Sequence, residues 1–459
     1  MLDFGHQEYL AYEFLRLSRT EPTRLSQYLW SGVSVGLLLS LLQIGIILGL
    51  VMTGMLPALL GKSDHAVDPQ LARAAGIVLL LQSVVWLLVT SASGLFFRVL
   101  APYGYFPRMA WWMLADSIVA SAAPVTAVVL GANLLTAGSV AAAAGLALGV
   151  PRYLDLWRLL RREGVSFERP NMRLGGRNFL NSLAISGKNV LENARQQGAR
   201  LLLSPLAGAA GLTAFSTMRT GTNVALQGLN TVVNPLMPEL MRFLHQREQS
   251  RSEAAFGIIW FVLIAALSPA MLVLQAFVEP LYAIWTRNKI PFDATLFAML
   301  SLSVLVFAAA QPAIAVVKGN NLLRAQLLLS ALAALLVVSG IAVLVPTQGL
   351  RGAGLALLLA EVAALLGYQR VARRWLNQNG LRWPGHHYRA ALLSIGLVAV
   401  GMTLLIAWPS AKWLVLPGAL CLLIANVWYY WRLLPELATN QAYQVLGRVP
   451  GLRRLYPMP

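Results

Sequence analysis

The chain has 459 residues, 58% of them hydrophobic and only 12% charged, with a mean hydropathy of +0.64. Soluble domains carry about 25% charged residues, and runs such as SVGLLLSLLQIGIILGLVMTGML offer water no polar face, so a soluble helical repeat is excluded. The net charge of +18 lies mostly between apolar runs, where positive-inside placement accounts for it without a nucleic acid, and the single Cys421 excludes a disulfide or thiolate-metal framework.

Residues 1–29 form an amphipathic start, expected in the cytoplasm. Apolar runs at about 30–55, 75–98, 110–132 and 135–157 are each long enough to cross about 30 Å of hydrocarbon. They are expected to form a four-span first lobe over 30–157. The first run is too long for the apolar region of a signal peptide. Asp116 follows Trp111 and Trp112 and reads as interfacial, with an ion-coupling carboxylate as the alternative. The segment 158–177 (RLLRREGVSFERPNMRLGGR) is the most charged connection and reads as a basic cytoplasmic linker between lobes.

Between Arg177 and Glu239 the chain turns polar while keeping helical spacing. Two helices are expected, about 178–202 and 211–236, joined at Ser204-Pro205. The second carries Arg219, Asn223, Gln227, Asn230 and Asn234 at intervals of three and four, which places them on one face. The first carries Lys188, Asn189, Glu192, Arg195 and Arg200 among its polar residues. Charges inside hydrocarbon cost about 2.5–3.5 kcal/mol each, so such a load points to helices lining water. Four more runs, at about 255–280, 293–317, 322–345 and 350–373, complete a six-span second lobe over 178–373. The remainder, 374–459, holds two extra spans and a cytoplasmic tail. Glu361 lies near the centre of its run and is a candidate for ion coupling, because a desolvated carboxylate titrates nearer neutral pH.

This layout has twelve spans, and 26 of the 36 Lys and Arg fall on the side of the termini. Both ends are therefore expected in the cytoplasm. Of the charges on the polar pair, Lys188, Arg195, Arg200 and Arg219 outnumber Glu192, which predicts a cationic, amide-lined cavity. Guanidinium groups hold phosphate bidentately, and amides donate to and accept from sugar hydroxyls. The plainer readings are an outer-surface position for Arg195 and Arg200, an i,i+4 pair between Lys188 and Glu192, and helix–helix hydrogen bonding along the Arg219 stripe. No P-loop, metal site or catalytic constellation is present in this sequence, and an enzyme is not expected. Asp64 and Asp68, the loop acids of a glycosyltransferase reading, lack a convincing partner.

The basic linker, the polar span ending in LLLSPLAGAAGLTAFSTM and the proline-marked exit NTVVNPLMPELMR resemble the Wzx-type polysaccharide/O-antigen flippases of the MOP (multidrug/oligosaccharidyl-lipid/polysaccharide) exporter superfamily. WTRNKIPFD before a later span and GLRGAG after Pro346 fit the same spacing. The resemblance implies a two-lobed MOP/MATE-like bundle in the bacterial inner membrane. Its cargo would be a polyprenyl-diphosphate-linked anionic glycan, such as a lipopolysaccharide precursor, flipped by alternating access. It implies Lys188 and Arg219 against the diphosphate or acidic sugars, with Asn223, Gln227, Asn230, Asn189 and Arg195 around them. H+ or Na+ coupling would fall to Glu361, Glu192 or Asp116, with no organic cofactor. Expected partners are membrane lipids and polysaccharide assembly proteins. Against the family pattern, MLDFGHQEYLAYEFLRLSR looks like the end of a second span, so the first two spans are expected to be missing. That departure keeps open a non-transporting homologue acting as a scaffold, beside a MATE-like small-molecule exporter.

Overall fold

The computed structural model describes residues 3–17, 21–55, 69–435 and 439. Asp64 and Asp68 and most of the C-terminal tail lie outside the described residues. The fold is all-helical. Among the described residues, ten helices are long and apolar enough to cross a membrane. They coincide with the ten apolar runs expected outside the polar pair. Leu38, Leu41, Leu42, Leu114, Ile118 and Val125 stand exposed along α2 (Pro22–Met52) and α4 (Phe106–Val129). In a membrane protein such faces meet lipid.

The chain divides into two compact units, Met1–Ser186 and Gly187–Pro459. In the first, α1 (His6–Leu17) is too short to span and packs on α2 and α3. Helix α3 runs Pro69–Val85, passes through a π-helical turn at Trp86–Thr90, and continues as Ser91–Leu100. His6 is fully buried, with Nε2 3.2 Å from the carbonyl oxygen of Gly32. Arg98 donates to Gln7 Oε1 at 2.6 Å. Helix α5 (Leu134–Arg162) lies close against α3, where a side chain at Gly149 would collide with Val89. Small residues allow this approach of backbones within a bilayer.

The polar stretch is α6 (Met172–His245), broken once at Gly208, with φ 70° and ψ 175°. That conformation is essentially confined to glycine. The turn therefore sits four residues past the expected Ser204 joint, and Ser204-Pro205 stays helical in the first arm. The dipeptide suggested a break because proline ends many helices, yet the residue that can adopt the reversal is the glycine. Glu192 and Asn223, 31 residues apart, line one cavity. A straight helix would separate them by about 46 Å, so the chain folds back at Gly208 and the two arms run side by side.

In the second unit, α8 (Ala294–Gly319) is the central helix, with 89% of its most apolar window buried. Around it stand α7 (Gln249–Thr286), α9 (Leu323–Gln348), α10 (Leu350–Gln378) and α11 (Gly385–Ala407), with α12 (Lys412–Leu433) beyond. The apolar side of the α6 hairpin, at Leu203, Phe215 and Met218, packs with Phe297 and Leu300 of α8 and Ala353, Ala356 and Leu357 of α10.

Candidate functional site

Arg219 and Thr222 continue the face of Phe215 and Met218 by one turn along the second α6 arm. Arg219, Thr222, Asn223, Leu226 and Gln227 recur at three- and four-residue spacing and form one wall of a cavity of about 290 Å³. The first arm contributes Glu192, α8 contributes Leu300, Ser303, Val304 and Phe307, and α10 contributes Leu357 and Glu361. Glu192, Phe307 and Glu361 also line an adjoining cavity of about 50 Å³, which adds Lys318, Ser330 and Tyr368. The two spaces share those three side chains and together are called the polar tract.

Arg219 lies eleven residues beyond Gly208, and Glu361 eleven residues into α10. At 1.5 Å per residue each is about 16 Å from its nearest helix end, about half the hydrocarbon thickness of a bilayer. Glu361 is nearly buried, at 9% exposure. The Arg219 guanidinium carbon stands 5.9 Å from the Phe215 ring centroid, and Thr222 donates to the Arg219 carbonyl at 3.0 Å. At that distance the ring and the cation attract one another.

Of the residues expected at the site, Arg219, Asn223, Gln227, Glu192 and Glu361 line this tract. Lys188 is buried at 3% exposure one turn before Glu192 and does not line it, and neither do Asn189 or Asn230, both half-buried. The side chains of Arg195 and Asn234 lie outside the described residues. The linings of the two cavities, among the described residues, carry two cations, Arg219 and Lys318, and two carboxylates, Glu192 and Glu361, while the side chain of Arg200, like that of Arg195, lies outside the described residues. The charge count on the polar pair omitted Glu361 and Lys318, which come from α10 and α8, more than 70 residues away in sequence.

Asp116 belongs to the first unit. It is ion-paired with Arg152 of α5, a buried arginine whose Nη2 lies 3.4 Å from Ser93 Oγ. Helix α4 begins at Phe106, so Asp116 lies nearly three turns inside, deeper than its neighbouring tryptophans suggested. Arg152 falls within the expected span 135–157, and Lys318 one residue past the expected span 293–317. In the structure α5 continues to Arg162 and α8 to Gly319, and both side chains belong to spans. Ser303, Phe307 and Tyr368 were not anticipated. They sit in apolar helices without a polar stripe, and only the packing around the α6 hairpin reveals their role.

No family model matches the chain, and no curated protein matches its sequence. Solved structures do match in fold. A MATE P26-position mutant crystal structure aligns with a TM-score of 0.65 at 14% identity, covering 82% of this chain and 84% of that one. The Vibrio cholerae MATE transporter VcmN, also a point mutant, aligns at 0.65 and 16% identity over 81% and 84%. The chain has a MATE-like fold. A MOP-superfamily transporter from Pyrococcus furiosus, for which a reversed polarity of the binding pocket suggests a different function, aligns at 0.63 and 14% identity over 82% and 84%. These structural neighbours include transporters.

Proposed function

We propose that this protein moves a polyprenyl-diphosphate-linked oligosaccharide or polysaccharide precursor across the bacterial inner membrane by alternating access of two lobes, 30–157 and 178–373. Both termini are cytoplasmic in this reading. The observation that carries it is the line of Arg219, Asn223 and Gln227 along one wall of a cavity. A guanidinium there meets phosphate or an acidic sugar, and the amides match hydroxyls in either hydrogen-bonding sense. Glu361 and Glu192 supply the carboxylates through which H+ or Na+ drives the cycle. Arg219→Ala is expected to abolish surface-glycan production while the protein still reaches the membrane. Normal glycan export by that variant overturns the ligand role.

A second reading, export of a cationic small molecule, is favoured by one observation: Glu192 and Glu361 both line the tract. It is supported further by the MATE-like fold. Drug accumulation in cells carrying Glu361→Gln separates the two. Restored accumulation of cationic compounds with intact glycan export favours the exporter, whereas loss of glycan export with unchanged drug accumulation favours the flippase.

A further inference from the structure

A second cavity in the Gly187–Pro459 unit lies outside the polar tract. It has a volume of about 370 Å³ and sits where the second arm of α6 meets the start of α7. Leu236, Glu239, Arg242 and Phe243 form one side at helical spacing, and Arg251, Ala254, Ala255 and Ile258 the other. The elbow between them is closed by Arg247 in a left-handed conformation, φ 55°, and by a bond from the Glu248 amide to the Phe243 carbonyl at 3.0 Å. Two helix ends are thus held antiparallel with a fixed gap.

The chemistry of that gap is graded. Its outer part carries two guanidinium groups, with the Arg242 and Arg251 carbons 5.1 and 5.7 Å from the same Phe243 ring centroid. Among the described residues Arg242 meets no carboxylate within ion-pair distance. Arg251 is held at 3.0 Å by Glu248, and its side chain is still 55% exposed. The inner part is apolar, formed by Leu236, Ala254, Ala255 and Ile258. Arg251 is the third residue of Gln249–Thr286, an element of mean hydropathy 2.4 in its best window, so the cavity opens at the membrane–water boundary. A basic pocket between spans at that depth suits a lipid headgroup.

We infer that this elbow binds the phosphate of an anionic phospholipid, with Arg242 and Arg251 gripping the phosphodiester and the acyl region lying over Ala254 and Ile258. A free phosphate would use the same guanidinium groups and leave the apolar floor without purpose. This assignment stands apart from the cargo reading, because it uses none of the residues of the polar tract. Glu239 lines the same space, and its carboxylate works against an anion there.

The test is retention of lipid by the full chain, purified from nanodiscs of mixed phosphatidylglycerol and phosphatidylcholine and read by native mass spectrometry. The intact protein is expected to retain phosphatidylglycerol at least tenfold over phosphatidylcholine. Arg242→Ala with Arg251→Ala should bring that preference close to one. Glu239→Gln should raise it, a gain that a destabilised protein would not produce. Inorganic phosphate at millimolar concentration should leave the retained lipid in place. An unchanged preference in the double variant overturns the assignment. So does displacement by inorganic phosphate, which marks a simple anion site, and so does stronger retention of a polyprenyl diphosphate than of phosphatidylglycerol, which marks a cargo site.

Discussion

Replacing Asp116 with asparagine removes the negative charge from Arg152 and leaves a buried guanidinium whose other hydrogen-bond partner among the described residues is the neutral Ser93 hydroxyl. Asp116 is ten residues into α4, and Arg152 ten residues before the end of α5. Each is therefore about 15 Å from a helix end, close to the middle of a bilayer. An uncompensated charge at that depth costs about 2.5–3.5 kcal/mol on insertion scales, and breaking a buried ion pair costs roughly 3–5 kcal/mol. The Asp116 side chain is 43% exposed, which would weaken the pair if water reached it. Allowing for that exposure, the lower part of the range, about 3 kcal/mol, is the expected loss. That corresponds to roughly two orders of magnitude in the folded-to-unfolded ratio. Reversible unfolding in mixed micelles by denaturing detergent reads it directly. Arg152→Gln in the Asp116→Asn background should recover most of the loss, since the stranded charge is then gone. Stability of Asp116→Asn within about 0.5 kcal/mol of the parent, or a double variant no better than the single one, would refute the pairing argument.

Glu361→Gln should leave folding intact and remove the dependence of transport on the proton or sodium gradient, measured in proteoliposomes with imposed gradients. Retained dependence excludes Glu361 from coupling. Gly208→Ala forces a Cβ into a backbone region that costs about 1–3 kcal/mol. Nothing crowds the position, so strain alone should lower the melting temperature, and an unchanged one would contradict the hairpin geometry. Burial pushes the His6 imidazole below its ordinary value of 6.5, while its bond to Gly32 opposes the shift. Released from its site, His6 takes up a proton at higher pH than it does when docked, so α1 docking is fully stable above about pH 6.5 and weakens as pH falls below it. Amide protection factors over residues 6–17, which correct for the intrinsic pH dependence of exchange, should fall between pH 7.5 and 5.5, and His6→Gln should flatten that fall.

The apolar spans were legible because a helix in lipid must be long and uncharged, and that rule reads directly from a run of residues. The face of Arg219, Asn223 and Gln227 was legible because helical spacing survives in a polar stretch. The break at Gly208 was harder to read. Several glycines lie in the same stretch, and only the backbone distinguishes the one at φ 70° from those inside the helix. Lys318 fell one residue past its expected span for a related reason. Cations at span ends usually mark connections, and α8 extends two residues farther, to Gly319. Glu361 was singled out as an isolated intramembrane acid. That it shares a cavity with Glu192, from a helix 169 residues earlier, depends on tertiary packing that no local pattern encodes.

The mixed charge of the tract constrains the proposed cycle. Arg219 and the carboxylates Glu192 and Glu361, which line one cavity, can offset one another when it is empty, which moderates the insertion penalty of each. A phosphate that takes up Arg219 withdraws that cation from its carboxylate neighbours. The carboxylates then gain from binding a proton or sodium ion, because a second negative charge nearby disfavours their ionised form. Cargo and coupling ion would therefore enter together, and linkage requires each to tighten the other. A cationic cargo predicts the opposite sign, because it competes with the proton for Glu192 and Glu361. Measuring cargo affinity at two pH values separates the cases: affinity that rises on acidification supports the lipid-linked anion, and affinity that falls supports the small cation.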